Sequence, residues 1–187
     1  GTTQTDYDKV DRPNVVTDAL TKSTYTTYDV LGRVTAIREG SATATPVKEF
    51  KYDTDLDDKV NKAGWIGLLA ESKRHTTTGD YTTKITGYDT EYRPTGRQVI
   101  IPTNTMTTGL SGTYTYTYAY TPTGKPLSVT LPAKGGLATE KVITRYNEDG
   151  LPESTSGLAW YTSDATYSPY GEVLRTVSSA QPYRIWT

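Results

Sequence analysis

The chain of 187 residues contains no cysteine. A disulfide framework, a thiolate metal site and a cysteine nucleophile are excluded at once. There is one histidine, His75, one phenylalanine, Phe50, and one methionine, Met106. No run of about 18 apolar residues occurs, so nothing in the sequence qualifies as a membrane-spanning helix. Net charge is also lacking: 20 Lys and Arg face 21 Asp and Glu, giving −1. That balance removes the electrostatic case for nucleic acid or an acidic membrane surface as a partner. Nor does any stretch carry the apolar spacing of an amphipathic helix.

What the chain has instead is tyrosine and threonine. It holds 16 Tyr at a mean hydropathy of −0.60. Tyr and Thr favour strands, and Tyr suits a half-exposed sheet face better than a deep oily core. Disordered chains share the polarity but are poor in aromatic and β-branched residues. The length fits about one domain on a ~150-residue prior, read here as a single segment over 1–187.

The stretch Tyr28-Asp29-Val30-Leu31-Gly32-Arg33-Val34 joins a strand end, a tight turn and a strand start. Asp29 suits the first turn position, where its carboxylate accepts from backbone N–H groups two residues on. Gly32 supplies the left-handed residue that closes a three-residue hairpin loop. Variants recur. Tyr7-Asp8-Lys9-Val10-Asp11-Arg12 has Asp in the glycine slot, and Tyr88-Asp89-Thr90-Glu91-Tyr92-Arg93 has Tyr there. A bulky residue is strained at positive φ, so the Tyr92 turn is expected to differ in geometry. Tyr120/Gly124, Tyr146/Gly150 and Tyr167/Gly171 repeat the spacing of Tyr28/Gly32. Asp18-Ala19-Leu20-Thr21-Lys22 reads as a turn of similar build, and Tyr52-Asp53 starts a copy that dissolves into a polar loop. The clearest strand is Thr113 to Thr121, whose alternation sets four Tyr on one face. Turns about twenty residues apart mean that the repeat is a β-hairpin. The expected fold is all-β: a meander of antiparallel β-hairpins forming a curled open sheet. The missing initiator Met and signal peptide, and the abrupt strand-like end Tyr183 to Thr187, point to a piece of a longer protein.

Tyr28-Asp29-x-x-Gly32-Arg33 and its variants resemble the YD repeat of Rhs-type proteins. One such motif is weak; six in phase are specific. Thr17-Asp18-Ala19-Leu20, Tyr52-Asp53-Thr54, Gly87-Tyr88-Asp89 with Arg93-Pro94-Thr95-Gly96, and the paired Val99-Ile100-Ile101-Pro102 and Val129-Thr130-Leu131-Pro132 resemble the actinobacterial branch. The resemblance implies a large secreted or cell-surface protein whose repeats wind a β-sheet into a hollow shell. Rhs and toxin-complex proteins enclose a C-terminal toxin in such a shell, and teneurins use a similar one for adhesion. The implied partners are neighbouring repeats and a C-terminal effector domain. The self-cleavage motif that follows the repeats in that family, and a variable toxin domain, are not in these residues. At this length the strip cannot close a shell.

Three clusters invite chemistry. His75 has no evident nucleophile beside it, as a Ser–His or Cys–His pair would need, and is expected at a strand end. Asp53, Asp55, Asp57 and Asp58 resemble the start of a calcium loop, but Asp58 stands where glycine is needed and Gly64 where the bidentate Glu is needed. A solvated acidic loop is the reading, with no metal and no cofactor expected. Tyr114, Tyr116, Tyr118 and Tyr120, with Trp65, Trp160 and Trp186, could stack on a sugar, so a carbohydrate- or cell-surface-binding module is the second functional reading. The plainer account is cross-strand packing of the Tyr stripe. The Arg or Lys after each turn is expected to cover an aromatic face or to pair with a turn acid. An enzyme is not expected, and self-association through exposed sheet edges is.

Overall fold

The computed structural model describes residues 1–54 and 64–178. Fourteen strands cover them: β1 (Gln4–Tyr7), β2 (Pro13–Thr17), β3 (Ser23–Tyr28), β4 (Val34–Glu39), β5 (Lys48–Tyr52), β6 (Leu69–Arg74), β7 (Tyr81–Tyr88), β8 (Pro94–Ile101), β9 (Gly112–Tyr120), β10 (Pro126–Leu131), β11 (Glu140–Tyr146), β12 (Pro152–Ser156), β13 (Trp160–Tyr167) and β14 (Val173–Ser178). No helix occurs among the described residues, and none is long and apolar enough to cross a membrane. Strand order in the open sheet follows chain order, as an all-β meander requires. Cα packing divides the chain into two compact units, 1–114 and 115–187.

In the first unit each tyrosine of the repeat ends a strand and pairs with the first residue of the return strand. The pairs are Tyr7 with Pro13, Tyr28 with Val34, Tyr52 with Leu69 and Tyr88 with Pro94. A register irregularity sits at each of these tyrosines, as expected where one left-handed residue is added to a hairpin. Pro13 and Pro94 occupy first strand positions, where a missing N–H is tolerated. The apolar core is thin: among the described residues only Ala36, Trp65 and Ala70 are buried apolar side chains. Glu71 is buried as well, with Lys84 at 3.2 Å and Lys73 at 3.6 Å. A single sheet layer therefore leans on ladder hydrogen bonds and side-chain contacts along its faces.

The second unit repeats the pattern with Tyr120 opposite Pro126, Tyr146 opposite Pro152 and Tyr167 opposite Val173. The alternation of β9 is visible in its burial, with Tyr114, Tyr116 and Tyr118 half-buried and Thr113, Thr115 and Thr117 exposed.

The Tyr92 turn corrects the sequence expectation. Tyr92 does adopt a left-handed φ, +61°, and the turn is built like the others. The Asp89 N–H donates to the Arg93 carbonyl at 3.0 Å and the Tyr92 N–H to the Asp89 carbonyl at 3.0 Å. The Asp89 carboxylate accepts from the N–H groups of Glu91 and Arg93 at 3.0 and 2.9 Å. Those bonds over-determine the backbone and offset a strain of about 1–2 kcal/mol. Tyr92→Gly is accordingly expected to stabilise the chain by about 0.5–1 kcal/mol, the relief of strain exceeding the added flexibility of glycine. Thermal unfolding followed by circular dichroism reads this directly, and a lowered midpoint would refute it.

Candidate functional site

The repeating turn is first a local device. In the copy at Tyr28 the Asp29 N–H donates to the Arg33 carbonyl at 2.9 Å, and the Gly32 N–H to the Asp29 carbonyl at 3.1 Å. One Asp29 oxygen accepts from the N–H groups of Leu31 and Arg33, both at 2.9 Å, and the other from Arg33 Nε at 2.6 Å. Gly32 sits at φ +83°, where an alanine would be strained. The copy at Tyr7 is built alike: Asp8 holds the N–H groups of Val10 and Arg12 at 2.9 and 3.0 Å and Arg12 Nε at 2.7 Å. Asp18 binds the Leu20 and Lys22 N–H groups at 2.8 and 2.9 Å in the predicted second turn.

These turns are also joined to one another. The Arg12 guanidinium lies 4.6 Å from the centre of the Tyr28 ring, and Arg33 lies 4.4 Å from that of Tyr52. Lys125 covers Tyr146 at 5.3 Å in the second unit. The hydroxyls of Tyr28, Tyr52, Tyr88, Tyr146 and Tyr167 then reach back to the carbonyl that opens the preceding return strand. Tyr28 donates to Pro13 at 2.6 Å, Tyr52 to Val34 at 3.1 Å and Tyr88 to Leu69 at 2.7 Å. Tyr146 donates to Pro126 at 2.7 Å and Tyr167 to Pro152 at 2.5 Å. The tyrosine thus clamps its repeat to the one before, with ring and hydroxyl used together.

The clamp is strongest at Arg33. Its two terminal nitrogens reach both oxygens of Asp53, at 2.9 and 2.5 Å, while Nε holds Asp29. Asp53 also accepts from the Gly67 N–H at 2.6 Å. The Arg33 guanidinium first, then the Gly67 N–H, pull the Asp53 carboxyl down to about 2 from an ordinary 3.8. For Asp29 partial burial pushes upward, yet the Arg33 N–H, the Arg33 guanidinium and the Leu31 N–H hold it below the ordinary carboxylate range. The same two carboxylates push the Arg33 guanidinium further up, Asp53 contributing first.

Asp53 also shows how an interrupted repeat closes. Its N–H donates to the Leu68 carbonyl at 3.1 Å, as Asp29 does to Arg33. Gly67, at φ +87°, and Leu68 stand where Gly32 and Arg33 stand in the unbroken copy. Trp65 is buried beside this closure, its ring edge-on to Tyr88 with centroids 5.1 Å apart and planes at 86°. That position withdraws Trp65 from any exposed stacking platform. Asp55, Asp57 and Asp58 of the acidic run, and Trp186, lie outside the described residues. No metal-holding group occurs among the described residues.

The other candidates are dispersed. Tyr116 and Tyr118 lie on β9 and Trp160 on β13, four strand positions away, or about 19 Å at ~4.8 Å per strand. The Tyr114 hydroxyl donates to the Leu110 carbonyl. The Trp160 ring is covered by the Arg145 guanidinium at 5.1 Å. His75 directly follows β6 and bridges two carboxylates, Glu49 at 2.7 Å through Nε2 and Asp80 at 2.9 Å through Nδ1. Through these two bonds it ties a strand end to β5 and to the following loop.

The fold recurs in solved structures. No protein-family model matches the sequence, and no curated protein does. The crystal structure of TcdB2–TccC3 matches over 98% of this chain with a TM-score of 0.69 and 16% identity, covering 10% of that chain. The crystal structure of TcdB2–TccC3 without its hypervariable C-terminal region matches over 94% at a TM-score of 0.70 and 16% identity. A Tc holotoxin pore of Photorhabdus luminescens matches over 94% at 0.69 and 15% identity. The chain therefore has the fold of a segment of these toxin-complex proteins and spans about a tenth of their length.

Proposed function

We propose that this chain is a wall segment of the β-shell of a secreted or cell-surface Rhs-type polymorphic toxin. In this role it helps to enclose or present a C-terminal effector encoded outside these residues. The observation that carries the reading is the clamp: hairpins joined edge to edge by a repeated ring, cation and hydroxyl contact suit an extended wall. The fold shared with segments of TcdB2–TccC3 and the YD-type turns of the sequence support it. Residues 1–187 act as one continuous run of repeats in this reading. Tyr28, Asp29, Gly32, Arg33, Tyr120, Gly124, Tyr146, Gly150, Tyr167 and Gly171 serve as architecture.

The test uses the full-length protein that carries this segment. Its effector region is expected to resist added protease while the wall is folded, and to be cut once denaturant opens the wall. An effector region cut as readily in the folded protein as in the unfolded one would overturn the shell role.

A further inference from the structure

One face of the sheet between β5 and β8 keeps two positive charges unanswered. Directly opposed residues of an antiparallel pair share a face. Lys48 opposes Arg74, and Arg74 opposes Tyr81, so these three form one row across the strands. Two residues along, Phe50 opposes Ser72, Ser72 opposes Thr83 and Thr83 opposes Val99, which form the next row. The two rows line a cavity of about 310 Å³. Phe50, Tyr81 and Val99 are half-buried there, while Lys48 and Arg74 are exposed. Strands β5–β8 carry two carboxylates, Glu49 and Glu71, and register puts both on the opposite face. Both are engaged on that face, Glu49 by His75 at 2.7 Å and Glu71 by Lys84 at 3.2 Å. Neither the Lys48 nor the Arg74 side chain makes an ion pair or a hydrogen bond among the described residues. Like charges directly opposed destabilise a strand pair, so this pairing does not serve the sheet.

We propose that this cavity binds a small organic anion, its carboxylate held between Lys48 and Arg74 and its flat apolar body lying over Phe50 and Val99. A bound carboxylate cancels the repulsion across the strand pair, and the Arg74 guanidinium offers it a matching fork. The rows lie about 7 Å apart along the strands, the span from a carboxylate to the far side of an attached ring. The Ser72 and Thr83 hydroxyls between the two apolar ends supply the few polar groups that orient a ligand. A cavity of this size stands at the small end of ligand sites, whereas a protein partner covers about 800 Å². One ring-bearing molecule therefore fits the site better than a polypeptide does. The proposal rests on strand register and charge and not on the shell role, so failure of the protease test leaves it standing.

The probe is 2-naphthoate, titrated into the 187-residue chain and followed by amide resonances. Those of Phe50, Thr83 and Val99 are expected to shift, with a Kd on the order of 1 mM. The neutral 2-naphthylmethanol has the same shape and is expected to bind about three- to tenfold more weakly. Lys48→Gln and Arg74→Gln are each expected to weaken 2-naphthoate binding by a similar about three- to tenfold. Neither substitution is expected to lower the thermal midpoint, because each removes a repulsion; a lowered midpoint would show that the two cations serve the fold and would overturn the proposal. Equal binding of the alcohol, undiminished binding by either variant, or no shift at these residues up to about 10 mM would overturn it as well. A glutamate-rich peptide that moves the same resonances at lower concentration than 2-naphthoate would give the site to an acidic polypeptide and overturn the small-molecule assignment.

Discussion

Arg33→Ala is expected to destabilise the chain by about 2–3 kcal/mol. Isolated surface ion pairs contribute only about 0–1 kcal/mol, but Arg33 is not such a pair. Its side chain is about four-fifths buried, holds Asp29 and both oxygens of Asp53, and covers the Tyr52 ring. Truncation leaves Asp53 half-buried with the Gly67 N–H as its remaining bond, and a carboxylate so placed loses charge-assisted bonds worth about 1.5–3 kcal/mol. Arg33→Lys keeps the charge but cannot fork to two oxygens while stacking on a ring, so it is expected to recover less than half of the loss. Urea unfolding measures both variants, and a loss from Arg33→Ala below about 1 kcal/mol would show that the pairing is ordinary surface chemistry.

The same substitution carries a pH signature. Asp53 has its folded pKa lowered to about 2 from an ordinary 3.8. Its contribution is therefore complete above pH 4 and is lost as pH falls through that window toward 2. Partial exposure screens it to on the order of 1 kcal/mol. The unmodified chain should lose stability between about pH 4 and 2, and Arg33→Ala should lose less across that interval. An equal acid slope in the two proteins would place the proton uptake elsewhere.

Trp65→Ala is expected to cost about 3 kcal/mol and to lower the thermal midpoint by on the order of 10 °C. Only three apolar side chains are buried among the described residues, and Trp65, at 6% exposure, is the largest of them. Its ring meets Tyr88 edge-on, and Tyr88 in turn clamps the Leu69 carbonyl. Removing it empties the space behind the interrupted repeat and frees the ring of the next clamp. Trp160 is the internal comparison. It is 45% exposed on β13, and Trp160→Ala is expected to cost under about 1 kcal/mol, chiefly the contact with Arg145. Similar losses from both substitutions would mean that burial does not rank these two rings.

The contrast between the tryptophans marks where sequence reasoning stops. The turn at Asp29 was readable because its donors, acceptors and left-handed residue lie within five consecutive positions. The all-β meander followed from the recurrence of that turn. Arg33 was legible as a residue that would cover some ring, but its ring, Tyr52, and its second carboxylate, Asp53, come from the next repeat and are selected by strand register. The hydroxyl contacts of Tyr28, Tyr88 and Tyr167 end on backbone carbonyls, which leave no trace in residue identity. The fixed phase of Tyr and Arg along the repeats was the only available signal. Gly67 and Leu68 complete a turn begun fourteen residues earlier at Asp53, so no local pattern joins them. Tyr92 went the other way: its side chain argued for a different turn, and the hydrogen bonds of Asp89 prevailed.

The order of the strands has a kinetic side. Within each unit every strand pairs with its neighbours in the chain. No hairpin waits for a segment far downstream, so loop-closure entropy stays small at each step, although the protein is all-β. A chain emerging from a ribosome or a translocation pore with its N-terminus first can zip up one hairpin at a time. Each new tyrosine then locks onto a carbonyl already in place, and growth runs in the direction of synthesis.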